Sequence, residues 1–443
     1  MTQVQAGTPS SRLRPLSFLW GVATSAYQIE GGIEGNDWPA WEAVPRRIKD
    51  GARAGAACLS WERWEEDLDL ICGLGLNAYR FSIEWSRIEP TPGRYDEDAI
   101  RRYGAMLDGC RARSIEPVLT LHHFTNPAWF ASAGGWEERQ NLDAFRRFAR
   151  LAAERFGDRV DLWITLNEPE VYGFYAYDSG IFPPGVRDRA RALVVIANMI
   201  EAHGLAAQEI RDADRIDADG DGKPALLGAA KHWTLLEPRR PWSPLDRLAS
   251  HWQHLVFNEA VVRALAGGPI DFRLPGLPAV RRTVDALRGS SDFIGVNYYT
   301  RWQVSALGNE PLTARPGAPV SDLGWEIHPD GLETVLLRMA RFGLPLLVTE
   351  NGIADAEDRW RPEFLRASLA ALDRARRLGV DVRGYFHWSL FDNFEWADGH
   401  SGRFGLYRTD FENPRDARIE RPSARVYASE VARRSEAPRV SPR

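Results

Sequence analysis

Several features are scarce in this 443-residue chain, and each shortage narrows what the protein does. It has three cysteines, Cys58, Cys72 and Cys110, with no CxxC spacing and one left over in any pairing, which excludes a disulfide framework and fits a reducing compartment, the cytoplasm by default. No run of 18 apolar residues occurs, and Met1 to Pro15 is polar without an apolar centre, so neither membrane spanning nor export is expected. Neither sign of charge prevails: a net charge of -5 gives no reason to expect nucleic acid or an anionic membrane as partner. There is also no composition break, linker or short internal repeat, so although the length suggests two or three domains on a simple prior, one large domain is the preferred reading.

What is present is a composition of 44% hydrophobic and 26% charged residues, enough for a sizeable core, together with 17 tryptophans. Most indoles fill cores; their flat faces also stack on the C–H faces of sugars while the N–H donates a hydrogen bond. Two stretches share one grammar. Leu344 to Gly352, Leu-Pro-Leu-Leu-Val-Thr-Glu-Asn-Gly, reads as a buried parallel strand ending in Glu350, and Asp161 to Pro169, Asp-Leu-Trp-Ile-Thr-Leu-Asn-Glu-Pro, runs an apolar strand into Glu168. Two carboxylates at strand ends suit acetal cleavage, in which one carboxyl donates a proton and the other attacks or activates water.

In chain order, residues 1–14 read as a disordered arm, 15–430 as the folded body and 431–443 as a flexible tail. Phe18 opens a first buried strand whose polar end includes Gln28, and 34–57 reads as a long loop on the same face. Trp61, Trp64, Leu68, Ile71 and Leu74 recur at helical spacing before Gly75. Asn77 to Trp85 is strand two. Its Arg80 either pairs with a structural acid or points at the site carboxylates. A helix over Asp96 to Arg113 leads to strand three, Glu116 to Leu121, which ends in His122-His123-Phe124-Thr125-Asn126-Pro127. Two histidines at a strand end before proline favour a site over a core role. Asn141 is a good N-cap for the helix that follows, and strand four then carries Glu168. Asp217-Ala-Asp-Gly-Asp-Gly-Lys opens like a calcium loop, but Gly228 stands where the bidentate Glu belongs, so it reads as an exposed turn. Strands five to eight are Ala225 to Lys231, Asp292 to Tyr299, Leu346 to Glu350 and Arg383 to Trp388. Eight apolar strands alternating with helical patterns give an α/β fold, a single (β/α)₈ TIM barrel with loop insertions at the C-terminal face of the strands. With the chain shared over eight units, Glu168 and Glu350 lie about three units apart, as the ends of strands four and seven would.

From Phe18 to about Tyr427 the chain resembles glycoside hydrolase family 1, the β-glucosidase family. The markers are Phe-Leu-Trp-Gly-Val-Ala-Thr-Ser-Ala-Tyr-Gln-Ile-Glu-Gly from Phe18, Tyr-Arg-Phe-Ser-Ile at 79–83, Thr-Leu-Asn-Glu-Pro at 165–169, Asn-Tyr-Tyr at 297–299, Thr-Glu-Asn-Gly at 349–352, and Trp388 leading to Asp392-Asn-Phe-Glu-Trp396. The resemblance implies a retaining double displacement with Glu350 as nucleophile and Glu168 as acid/base, their carboxyls about 5 to 5.5 Å apart. Glu168 would start protonated, raised by burial and by Glu350, while Arg80 and the Tyr299 hydroxyl favour the Glu350 anion. Asn167 would bond the sugar 2-hydroxyl. Gln28, His123, Glu395 and Trp396 would hold the other hydroxyls over a Trp388 floor, with Arg80, Asn297 and Phe404 in support. An anionic Glu395 argues against a 6-phosphorylated sugar. One departure is His123-Phe124-Thr125 where the family usually has His-Trp-Asp, which removes an indole donor near the 3-hydroxyl. The implied enzyme is an exo-acting β-glucosidase, or a closely related β-galactosidase or β-fucosidase, taking small-molecule β-glycosides or oligosaccharides and needing no cofactor or metal. A catalytically silent sugar-binding homologue and a transglycosylase are the alternatives. Both acids are present, which counts against the first; sequence does not separate the second. Oligomeric state is left open.

Overall fold

The computed structural model describes residues 18–436 apart from 221 and 308–310. The expected arm at 1–14 and the last seven positions of the expected tail therefore lie outside the described residues. Eight parallel strands close into a barrel: β1 (Leu19–Ala23), β2 (Ala78–Ser82), β3 (Glu116–His122), β4 (Leu162–Asn167), β5 (Leu226–His232), β6 (Ile294–Tyr298), β7 (Leu346–Asn351) and β8 (Val382–Trp388), with β8 pairing β1. Their near-continuous apolar runs follow from burial on both faces, as parallel strands beneath helices require. The long helices around them are α1 (Ser60–Gly73), α2 (Glu97–Ala112), α3 (Leu142–Phe156), α4 (Arg189–Ala213), α5 (Pro244–His254), α6 (Gly331–Met339), α7 (Arg361–Arg377) and α8 (Pro422–Ser435).

The apolar side chains form two layers. Leu19, Ala78, Val118, Leu162, Leu226, Leu347 and Phe386 fill the barrel interior, while Trp163, Leu227, Val296, Val348 and Tyr385 pack outward beneath the helices. Gly21 is required for that filling: a Cβ there would come within 2.5 Å of the Phe386 ring. Helix α4 is long and apolar enough to cross a membrane by length and composition, yet 78% of its apolar window is buried in the fold, as a core helix is.

Two local expectations change. Asn141 does not cap α3; its backbone is already helical and its side-chain amide donates to the Ala133 and Gly135 carbonyls, bracing the preceding turn. The segment 34–57 is not all loop, since Trp38–Glu42 is a short helix carrying the buried Trp38 and Trp41. At the C-terminal end, α8 runs through Ser435, beyond the expected boundary at 430, because Tyr427 and Val431 are buried against the barrel.

The segment after β8 is pinned from this helix. Arg421 donates through both Nη atoms, at 2.8 Å each, to the two oxygens of Asp392, and both side chains are buried. Tyr427 donates to the Gly21 carbonyl oxygen at 2.7 Å. Removing one partner of a buried pair strands the other charge. Arg421→Met should therefore cost about 3–5 kcal/mol in denaturant unfolding, against about 1 kcal/mol for Tyr427→Phe, which loses one hydroxyl donor shared between the Gly21 and Tyr385 carbonyls.

Candidate active site

The C-terminal ends of the strands and the segments that follow them gather the residues that the resemblance implies. Glu168 follows β4 directly and Glu350 is the penultimate residue of β7, and the strand register shifts beside each, between Ile164 and Asn167 and between Val348 and Glu350. Such irregularities re-aim side chains at barrel rims. Glu168 also has a left-handed backbone (φ 46°, ψ 60°), an uncommon state for a non-glycine residue, after which Pro169 starts the helix Pro169–Tyr177. Glu168 and Glu350 are 5% and 3% exposed.

Arg80, buried in β2, joins the two sides. Nη1 donates to Glu350 Oε1 at 2.5 Å and to the Thr349 carbonyl at 3.1 Å, Nη2 to Asn167 Oδ1 at 2.6 Å and Nε to Thr120 Oγ1 at 3.3 Å. Of the two readings of Arg80, it is the site carboxylates that it faces. A guanidinium only donates, so the Asn167 amide orientation is fixed with its oxygen towards Arg80. That oxygen also accepts from Asn297 Nδ2 at 3.1 Å, and the same Asn297 nitrogen donates to Glu168 Oε1 at 2.7 Å. An unbroken path of hydrogen bonds thus runs Glu350–Arg80–Asn167–Asn297–Glu168. The Asn167 nitrogen then faces His123 Nε2 at 3.2 Å, which makes Nε2 the acceptor and puts the His123 proton on Nδ1, a buried atom with no partner among the described residues. Burial, with Arg80 nearby, holds His123 well below the usual histidine range, so the ring is neutral.

The carboxyls titrate as a pair. Burial pushes Glu350 up to about 7 and the Glu168 charge adds to it, against Arg80 and Tyr299. Burial also raises Glu168, against the hydrogen bonds from His232 and Asn297. Donor geometry places the proton. Both Glu350 oxygens are filled by donors, Oε1 by Arg80 and Oε2 by the Tyr299 hydroxyl at 2.6 Å, whereas Glu168 Oε2 takes no donor from the described residues. The one proton the pair holds therefore rests on Glu168 Oε2, and Glu350 is the anion.

Around this pair lie the remaining residues. The Trp388 ring stacks at 5.8 Å on His123, and Trp396 stacks at 6.1 Å on Tyr27 and lies 6.0 Å from His123. Gln28 Nε2 donates to Asn393 Oδ1, to the Phe394 carbonyl and, at 3.4 Å, to Glu395 Oε2. Burial, then the charges of Asp398, Glu350 and Glu168, raise Glu395 well above the carboxylate range. Burial and these neighbouring carboxylates thus work against the anion expected at Glu395. Phe404 packs edge-on against Tyr299 at 5.9 Å. Phe124, in place of an indole, is buried against Trp396 and Phe182, and Thr125 donates to Glu84 Oε2 at 2.9 Å. Trp325, at 5.9 Å from Tyr299, and His232, with Nδ1 3.2 Å from Glu168 Oε1, also belong here and were not singled out. The sequence signal for His232 is its place one residue past the expected end of strand five.

Away from this site, Asp217 and Asp219 come within 4.8 Å of Asp161, which precedes β4 and so lies at the opposite end of the barrel; Asp221 is outside the described residues. Asp161 already accepts from the Ala218 N–H and from Arg111.

The proton shared by the pair has a stability signature. The pair keeps one proton up to about pH 7, where an unfolded carboxyl releases it near 4.5, so the contribution of that proton is full below pH 4.5 and is lost as pH rises through about 7. Glu350→Gln removes that loss. Its unfolding midpoint should gain on the wild type between pH 4.5 and 7 and hold a constant lead above, and thermal denaturation across this range checks it.

The chain matches the family model described as glycosyl hydrolase family 1 over residues 11–436. It is 34% identical to a β-galactosidase of Pyrococcus woesei, over 89% of this chain and 92% of that protein. It is 32% identical to β-glucosidase A of Thermotoga maritima, over 94% and 97%. A solved structure of the Thermotoga maritima β-glucosidase in complex with glucoimidazole superposes with a TM-score of 0.84 at 32% identity, covering 94% of this chain and 98% of that one. With a closed eight-stranded barrel, two buried acids at the ends of β4 and β7 and a match along nearly its whole length, the chain belongs to glycosyl hydrolase family 1.

Proposed function

We propose that the protein is a retaining exo-β-glycosidase that hydrolyses terminal non-reducing β-D-glycosyl residues, glucosides first and galactosides or fucosides beside them. The observation that carries the reading is the asymmetry of the buried pair: one carboxylate saturated by donors, the other with an oxygen open. In the first half-reaction Glu350 attacks the anomeric carbon as the C–O bond to the leaving group breaks, and Glu168 Oε2 passes its proton to the departing oxygen. Forming the ester removes the Glu350 charge. The repulsion between the two carboxyls disappears, and Glu168 becomes a base that takes a proton from water as water attacks the same carbon from the other side.

Arg80 and Tyr299 release the nucleophile by holding the carboxylate as an anion in a dry site, and the Asn167 N–H left over from His123 is placed for the 2-hydroxyl. The Trp388 ring is the stacking floor, with Gln28, His123, Glu395 and Trp396 on the outer hydroxyls and Asn297 and Phe404 bracing Glu168 and Tyr299. Phe124 supplies no donor, so discrimination at the 3-hydroxyl weakens by about 1–3 kcal/mol relative to an indole there. All three cysteines are free, two of them buried, which supports action in a reducing compartment such as the cytoplasm.

A panel of p-nitrophenyl β-glucoside, β-galactoside, β-fucoside, β-mannoside and α-glucoside tests the reading. The β-glycosides should turn over. Glu168→Ala should lose about 10²–10⁴-fold on poorly activated leaving groups, and Glu350→Ala should be inactive until azide restores turnover as the α-glycosyl azide. A β-azide product, or no turnover of any glycoside by folded wild type, overturns it.

A further inference from the structure

Glu168 must deliver its proton from one oxygen, and two groups converge on the other. Asn297 Nδ2, its orientation fixed through Asn167 and Arg80, donates to Oε1 at 2.7 Å, and His232 Nδ1 lies 3.2 Å from the same atom. The ring's other nitrogen, Nε2, is 2.7 Å from the hydroxyl of Thr234, a side chain 1% exposed. That hydroxyl has no other hydrogen-bond partner among the described residues. A buried hydroxyl with one partner donates to it, which makes Nε2 an acceptor and leaves the ring proton on Nδ1, facing Glu168.

The rest of the surroundings hold the ring still. The His232 backbone N–H donates to Glu170 Oε1 at 2.8 Å, and that oxygen also takes the fully buried Lys231 ammonium at 3.0 Å. The imidazole stacks on Tyr299 at 5.9 Å and meets Phe257 edge-on at 6.1 Å. The titratable groups facing it are thus Glu168 and Glu170 from the segment after β4, Lys231 from its own strand and Tyr299 from the end of β6. Lys231 and Glu170 offset one another, and Tyr299 is un-ionised, so Glu168 is the group the ring answers.

We propose that His232 is a positioning residue for the acid/base: locked by Thr234 as the Nδ1–H tautomer, it makes Glu168 Oε1 a permanent acceptor and confines the transferable proton to Oε2. This rests on Glu168 being the acid/base. No bond other than the one already described forms or breaks; His232 keeps its own proton throughout.

The role is read from kcat/KM, which reports the glycosylation step, on two substrates: cellobiose, whose leaving group needs the proton, and 2,4-dinitrophenyl β-glucoside, whose leaving group does not. His232→Leu should lose about 10–100-fold on cellobiose and about threefold or less on the dinitrophenyl glucoside. The alkaline limb for cellobiose should move up by about one pH unit, because a donor to the carboxylate form is gone. His232→Asn, which returns an N–H near Nδ1, should recover most of the loss. Should His232→Leu fold poorly, Thr234→Val removes the lock alone and should show the same substrate split more weakly, with Thr234→Ser close to wild type. Equal losses on both substrates, an unmoved alkaline limb, or no effect of either variant overturns the proposal. Glu168→Ala measured alongside separates the two readings: if that variant shows no dependence on the leaving group, the assignment of Glu168 has failed rather than that of His232.

Discussion

The buried guanidinium of Arg80 is the interaction on which the rest of the site depends. It sits on the second strand, inside the barrel, and reaches β3 through Thr120, β4 through Asn167 and β7 through Thr349 and Glu350. Desolvating a cation is costly unless its donors are satisfied, and here the acceptors that satisfy it are the reacting carboxylate and the amide that orders the opposite wall. Because it cannot accept, every amide and imidazole orientation around it follows: Asn167 by direct contact, Asn297 and His123 at one remove. One charge therefore fixes both the anion and the directions in which neighbouring donors point.

Much of this was legible in the sequence, and the parts that were not have physical reasons. The eight strands were readable because burial on both faces writes an uninterrupted apolar run, and each expected strand overlaps the observed one. Glu168 and Glu350 were readable because each ends such a run. Asn141 was misread because a residue type favoured at caps serves equally well bonding back to the Ala133 and Gly135 carbonyls, and sequence does not tell these uses apart. His232 was missed for another reason. Its importance comes from Glu168, Thr234 and Tyr299, three residues on different segments, and no spacing along the chain encodes their meeting.

The Glu170–Lys231 pair belongs to the same class. Each residue alone looks like an ordinary charged position, yet both side chains are fully buried. The pair is an electrically balanced prop one step behind the acid. It steadies the backbone of His232 without presenting a net charge to the pair of carboxyls, a useful property where one extra charge would move the proton that matters.

The contact between Thr125 and Glu84 has a consequence for how sugar recognition is inherited. Where the usual family run places an aspartate at the third position, this chain has a threonine, and a carboxylate arrives instead from the end of the neighbouring strand, with Asn36 and Ser86 also donating to it. A graft of the common His-Trp-Asp run onto this barrel would therefore set two anions against one another in a buried space. In this chain the two strand ends are coupled, so a change of the run at 123–125 calls for a matching change at position 84.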